Sequence, residues 1–231
     1  MTTEPSVLLL FDIDGTLIGS FGAMRLFNQA LGEMGGHGAA TGGTFPGATD
    51  PKIVDTKLRE IGIEPTAELV SQVLIRLEDL LEEAVGAGAT VAPKPGVVAL
   101  LDELSKDPRF ALSVLTGNTL RNAKSKLTAA GVAGYFDLSL GAFGSDSADR
   151  NDLVPIALSR FFEQHGRELR GTSVIVIGDT EHDYGCAQAG GVRCILVATG
   201  SYGHQELSVL GAELTVSDLS ATEEILAVLR A

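Results

Sequence analysis

The sequence predicts an α/β fold in which a parallel sheet lies between layers of helices, with a helical segment interrupting the chain after the first strand. Two patterns carry this expectation. Apolar, strand-length runs alternate with helix-length amphipathic stretches through the second half of the chain, which implies parallel strands joined by covering helices. The interval between the first two runs is far too long for a simple crossover. Length permits the architecture: 231 residues can bury a substantial core, and 45% hydrophobic against 20% charged residues is a globular rather than a disordered balance.

The elements follow in order. Val7–Phe11 is an unbroken apolar run and reads as a buried strand. The region 19–90 is glycine-rich and helix-prone, with Met24, Leu26, Phe27 and Leu31 in one stretch and Leu69, Val73, Leu74, Leu77, Leu80 and Leu81 in another, both near helical spacing. Glu68, Glu78, Asp79, Glu82 and Glu83 alternate with the second stripe as a solvated acidic face. This segment is therefore expected to be a small helical bundle inserted into the core. The glycines of 35–43 suggest a mobile loop within it. Pro93-Lys94-Pro95-Gly96 then introduces a helix at Val97–Leu104, followed by a strand at 110–115. A helix over 120–130 is ended by Gly131, and Leu153–His165 is a helix with Pro155 in its first turn and Gly166 at its end. The run Val174-Ile175-Val176-Ile177 and the shorter 195–197 complete the expected strands. The division is thus 1–18 with 91–231 as core and 19–90 as insertion.

Three of these runs end in polar residues of one kind. The first delivers Asp12-Ile13-Asp14-Gly15-Thr16-Leu17, the second Thr116-Gly117-Asn118, and the third Gly178-Asp179-Thr180-Glu181-His182-Asp183. In an open parallel sheet the carboxyl ends of strands line the ligand crevice, and hydrophobic burial gives no reason to end a strand on paired acids. Gly15 permits a sharp turn and close approach to an anion. If Asp12, Asp14, Asp179 and Asp183 converge, their repulsion calls for a cation among them. Carboxylate oxygens without imidazole or thiolate suit Mg²⁺.

In this order and at these strand ends, the motifs resemble those of the haloacid-dehalogenase-like hydrolase superfamily over residues 7–200, and most closely its phosphoglycolate-phosphatase-like members. The resemblance implies a Rossmann-like three-layer core with a parallel sheet and an inserted α-helical cap domain over the active site. It implies a Mg²⁺-dependent phosphatase in which the metal is held by Asp12, the backbone carbonyl of Asp14, and Asp179, with Asp183 orienting metal-bound water or ligating directly. Asp12 would be the nucleophile, forming an aspartyl-phosphate, and Asp14 the general acid and base. The Thr116 hydroxyl and the amides of Gly117 and Asn118 would hold the phosphoryl oxygens, with Gly15 and Thr16 also at the substrate. Arg150 stands where the family places a basic residue, although the usual pattern there is Lys followed by Pro. Lys124 and Lys126 are poorer substitutes because they lie well inside a helix. Gly47-Ala48-Thr49-Asp50 looks like a loop often found in such caps.

Composition narrows the partners. A formal charge of −13 argues against nonspecific binding to nucleic acid or anionic membranes, which need basic surface. Residues 1–5 carry no basic region and no apolar run approaches membrane length, so a cytoplasmic location is expected. Cys186 and Cys194 read as small buried thiols, and His182 as a solvated loop residue. The expected partner is a small phosphorylated metabolite. Nothing in 19–90 encodes which one, although Arg25, Thr49, Asp50, Lys52 and Arg76 are available to contact it. Two other readings remain at this stage. A phosphosugar mutase would use the same aspartyl-phosphate, and a phosphorylatable receiver would combine similar acids on a shorter chain without the insertion. Dehalogenation is disfavoured by Asp14, for which displacement at carbon has no use.

Overall fold

The computed structural model describes residues 4–19, 21–35 and 45–231. Its strands are β1 (Val7–Phe11), β2 (Phe110–Thr116), β3 (Ala142–Phe143), β4 (Val174–Gly178), β5 (Arg193–Val197) and β6 (Leu214–Val216). They form one sheet in the order β3-β2-β1-β4-β5-β6, with every neighbouring pair parallel. The helices are α1 (Ala23–Gly35), α2 (Asp50–Glu60), α3 (Ala67–Gly86), α4 (Val97–Leu104), α5 (Leu120–Ala129), α6 (Leu153–His165), α7 (Glu181–Gly190), α8 (His204–Ser208) and α9 (Thr222–Arg230).

The unbroken apolar strands reflect burial on both faces, with successive side chains pointing to opposite sides of the sheet. Leu9 and Phe11 of β1 share a cluster with Leu112 and Val114 of β2, Ile175 and Ile177 of β4, and apolar residues of α4, α5 and α9. Leu8 and Leu10 join Val174, Val176 and residues of α6, α7 and α8 on the other side. The result is a three-layer α/β sandwich. Helix boundaries follow local chemistry: Thr119 caps α5 by accepting from the amide of Asn122, and Gly166 ends α6 in the left-handed conformation that glycine adopts without Cβ strain. The short edge strands β3 and β6 were not individually foreseen, because two or three residues carry too little periodicity to register.

Helices α1, α2 and α3 pack around a third cluster of their own, built on Leu26, Phe27, Leu31, Val54, Leu58, Val73 and Leu77. The chain leaves and re-enters the core side by side, since Ile18 forms an antiparallel bridge with Pro93. Two expectations are corrected here. Asp50 is not loop but the first residue of α2, with Thr49 as its N-cap and Pro51 in the first turn, where a missing amide hydrogen costs nothing. The acidic face of α3 is not wholly solvated, because Arg121 of α5 donates to Glu78, Asp79 and Glu82. The glycine-rich stretch expected to be a mobile loop lies, from residue 36 to 43, outside the described residues.

The sheet order brings β1 and β4 together although they are distant in sequence. From β1 the chain builds outward through β2 to β3, then returns to place β4 on β1's other side. Such a reversal opens a crevice at the carboxyl ends of the two strands, where Asp12 and Asp179 follow. Among the described residues, no helix is long and apolar enough to cross a membrane.

Candidate active site

Asp12 leaves β1 with its amide still donating to Ile177 O (2.8 Å), so its position is set by the sheet. The turn beyond it closes through the Gly15 amide to Ile18 O (2.8 Å). Gly15 has φ +94°, and a Cβ there would lie 2.3 Å from an oxygen of Asp179. Glycine is thus required both for the turn and for the approach of β4's acid. Gly200 approaches the same carboxylate from the other side, where a Cβ would come within 1.6 Å of it.

Carboxylate oxygens of Asp12, Asp179 and Asp183 lie within 4.8 Å of one another, all three buried. Asp183, in the first turn of α7, accepts from the amide and hydroxyl of Thr180 (3.0 and 2.7 Å), forming a capping box that fixes it. Burial, with smaller contributions from neighbouring acids, pushes the Asp12 carboxyl up to about 7 against the opposing pull of Arg150. Burial, then Asp12 and Asp183, push Asp179 up to about 8 despite the Thr16 hydrogen bond. Three acids so placed cannot all be ionised without a compensating positive charge.

Arg150 supplies part of that charge. Held in a short 3₁₀ turn at Arg150–Asp152, it donates from Nη2 to Asp12 Oδ1 (2.7 Å) and to Asp183, and from Nη1 to Gly47 O (3.1 Å). Burial works against its charge, but Asp183 and Asp12 outweigh it and hold the guanidinium above its ordinary value. The Cys186 thiol donates to Arg150 O (2.9 Å) and so braces this turn. Both cysteines are unpaired and buried, as expected of small core thiols, and burial pushes the Cys186 thiol up to about 11.

Asp14 faces the opposite wall, half-exposed, and accepts from Asn118 Nδ2 (2.7 Å) and Lys126 Nζ (2.6 Å). Lys126 also donates to Asn118 Oδ1 (2.6 Å). Although Lys126 lies well inside a helix, which makes it the poorer candidate from sequence, it reaches Asp14. Lys126 lies two turns along α5, and the helix packs with that face toward the end of β1. Lys124 donates nothing to this group. The Thr116 hydroxyl accepts from Asn118 Nδ2 (2.8 Å) and from the Asn118 amide (3.3 Å), which leaves its own proton to donate elsewhere. The Asn118 amide is therefore directed at Thr116 rather than into the cavity, contrary to expectation. Thr16, expected at the substrate, is fully buried, and its hydroxyl donates to Asp179 Oδ1 (2.9 Å). Gly117 is confined by the helical insertion, since a Cβ would lie 2.2 Å from Ala48 O.

Asp12, Asp14, Asp179, Thr116, Lys126 and Arg150 line a cavity of about 390 Å³, with Asp183 beneath it. The insertion closes one side of it, with Asp50 accepting from the Thr119 amide (3.0 Å) and Asn122 Nδ2 (2.8 Å) across the junction. Burial raises the Asp50 carboxyl above its usual range, while Lys126 and these donors oppose the rise. Of the other polar residues considered for substrate contact, Lys52 borders a separate shallow depression and Arg76 pairs with Glu33 and Glu83. Arg25 is exposed, and the Thr49 hydroxyl donates to Ala148 O (3.0 Å). His182 lies on the first turn of α7 rather than in a loop, and is exposed as expected.

The site thus places acids at the ends of β1 and β4, a strand-terminal Thr and a buried basic residue around one cavity. Residues 9–188 match the model of the haloacid dehalogenase-like hydrolase family, and the chain belongs to that family. It is 29% identical over 199 residues to a phosphoglycolate phosphatase of Pectobacterium atrosepticum, covering 84% of this chain and 82% of that one. It is 27% identical to a phosphoglycolate phosphatase of Rhodobacter capsulatus, covering 92% and 93%. The fold is similar to the crystal structure of CbbY from Rhodobacter sphaeroides in complex with phosphate, with a TM-score of 0.69 at 21% identity over 97% of this chain and 99% of that one.

Proposed function

We propose that this protein is a Mg²⁺-dependent phosphatase that hydrolyses small phosphate monoesters through an aspartyl-phosphate on Asp12. The observation that carries the reading is the convergence of Asp12, Asp179 and Asp183 beneath a cavity that Asp14 faces from the other side. The donor set fits the metal: among the described residues, three buried carboxylates, with no sulfur or imidazole in the group, match a hard, oxygen-seeking cation. Asp12, Asp179 and the carbonyl of Asp14 would hold it, with Asp183 beside them. When bound, Mg²⁺ offsets the charge of the acids and of the substrate phosphate.

The chain's own groups divide the remaining work. Asp12 Oδ attacks phosphorus while the ester oxygen departs, and water later attacks the phosphorus of the acyl phosphate to release inorganic phosphate and restore the carboxylate. Asp14 donates a proton to the departing oxygen and afterwards accepts one from that water. Its contacts with Lys126 and Asn118 hold it at the mouth of the site. The Thr116 hydroxyl and the Gly117 amide hold phosphoryl oxygens, and Arg150 counters the charge that gathers on Asp12 and the transferring group. Helices α1–α3, within residues 19–90, act as a cap that excludes water and selects the leaving group.

The direct test is an assay against a panel of small phosphate monoesters. Phosphate release with Mg²⁺ is expected, falling to background with a chelator and returning when Mg²⁺ is restored. Full turnover by metal-free protein would refute the reading. Transfer of the phosphoryl group to a second hydroxyl of a sugar phosphate, in place of release to water, would favour the mutase alternative.

A pH dependence of stability follows from the two raised carboxyls. In the metal-free folded protein Asp12 and Asp179 stay protonated up to about pH 7 and 8, whereas in the unfolded chain they ionise near pH 4. Between these limits the folded state binds more protons, so stability falls as pH rises. Mg²⁺ binds the ionised acids, so the rise in Tm on adding it is expected to be larger at pH 8.5 than at pH 5.5. A shift independent of pH, read by thermal melts at matched ionic strength, would contradict the assignment.

A further inference from the structure

The two sides of the cavity differ in chemistry. Toward the strand ends it is lined by carboxylates, Thr116, Asn118, Lys94, Lys126 and Arg150; from the insertion it is lined by Met24, Phe27, Phe45, Pro46 and Ile53. Among the described residues, the one charged residue that the insertion brings to the lining is Asp50, which is itself an acid and is already held by Thr119 and Asn122.

The insertion has five Lys and Arg residues, and none lines the cavity. Lys57 is fully buried against Glu60 and the Phe45 ring, Arg59 pairs with Asp55 and Glu64, and Arg76 pairs with Glu33 and Glu83. Lys52 borders the outer depression, and Arg25 is exposed. Residues 20 and 36–44, outside the described residues, contain no Lys or Arg and one histidine, His37. The cations that do reach the cavity come from the core: two are ion-paired there, and Lys94 is held by a backbone carbonyl on the strand-end side. Arg150 donates to Asp12 and Asp183, Lys126 to Asp14 and Asn118, and Lys94 Nζ to Thr199 O (2.7 Å).

A second negative group on a substrate would therefore be desolvated against Met24, Phe27, Phe45 and Ile53 with no cation from the described residues of the insertion to meet it, which is costly. An apolar group in the same place gains from burial. We propose that the leaving-group side of this site takes uncharged, largely apolar alcohols, so that the preferred substrates are aryl-alkyl or alkyl phosphate monoesters rather than phosphorylated carboxylic acids. This rests on the phosphatase reading above and names its substrate class. It separates this chain from the relatives named for phosphoglycolate, whose leaving alcohol carries a carboxylate.

The test compares pairs that differ in one charge while keeping similar leaving alcohols: benzyl phosphate with its ring 4-carboxylate analogue, and 2-phosphoglycolate with its methyl ester. With full-length protein and Mg²⁺, kcat/KM is expected to favour the neutral member of each pair by about tenfold or more, the scale at which a pocket discriminates by one group. Met24→Lys is expected to shrink that ratio by giving the apolar wall a cation. Equal or inverted wild-type ratios, with turnover present, would overturn the substrate class while leaving the phosphatase reading intact. No turnover of any member with Mg²⁺ would overturn both. The wild-type ratios decide the matter even if the variant fails to fold.

Discussion

Asp12→Asn is expected to abolish turnover, by on the order of 10⁴-fold or more, and to leave the fold standing. Asp12 accepts from Arg150 Nη2 (2.7 Å) and contributes to the buried carboxylate cluster, and unlike Asp183, which shares both features, it lines the cavity. An amide there keeps a hydrogen-bond acceptor for Arg150 but is a poor nucleophile. Arg150 also retains Asp183, so no buried cation is stranded. Because burial disfavours the ionised form of Asp12, replacing it with a neutral isostere removes a strained charge, and the metal-free Tm is expected to hold or rise. Acid-quenched intact-mass measurement should detect a phosphorylated species during turnover by the wild type and none in the variant. Phosphoprotein or wild-type rates in Asp12→Asn would place the nucleophile elsewhere.

Asp14→Asn is expected to produce the second-largest loss, about 10² to 10⁴-fold in kcat, the range for a positioned acid–base group. The consequence differs in kind from that at Asp12. An amide oxygen at residue 14 can still accept from Lys126 and Asn118, and the backbone carbonyl is unchanged, so stabilisation by Mg²⁺ should persist. With an activated aryl phosphate the departing phenolate needs little protonation, so the first transfer should survive better than the second. The aspartyl-phosphate should then accumulate and appear as a pre-steady-state burst. Equal slowing of both steps, with no burst, would refute the assignment of Asp14 to the proton transfers.

Much of the site was legible because its groups sit where strong local signals end. The run Val7–Phe11 is apolar because both faces are covered, and Asp12 and Asp14 follow it directly. The same holds for Thr116 after β2 and for Asp179 after β4, so locating the strands located these residues too. Arg150 was placed from its position before α6, and the structure brings it to Asp12 and Asp183. Thr16 could not be resolved in this way. The hydroxyl after Asp14-Gly15 can face substrate or a neighbouring strand, and it turns to Asp179, which is 163 residues away in sequence.

The order of strands and helices, and the acids at their ends, are written in the chain because each depends on near neighbours: periodicity, caps such as Thr119, and stops such as Gly166. Other features wait on packing. Lys126 joins the site through the rotation of α5 about its own axis, which is set by Ala123 and Leu127 against the sheet, and no spacing within the helix announces that its ammonium meets Asp14. The apolar wall of the cavity depends likewise on α1 and α2 turning Met24 and Ile53 toward the strand ends. In sequence these residues look like any other member of a helical stripe. A stripe states that a face will be covered, and only the assembled fold decides whether protein or substrate covers it.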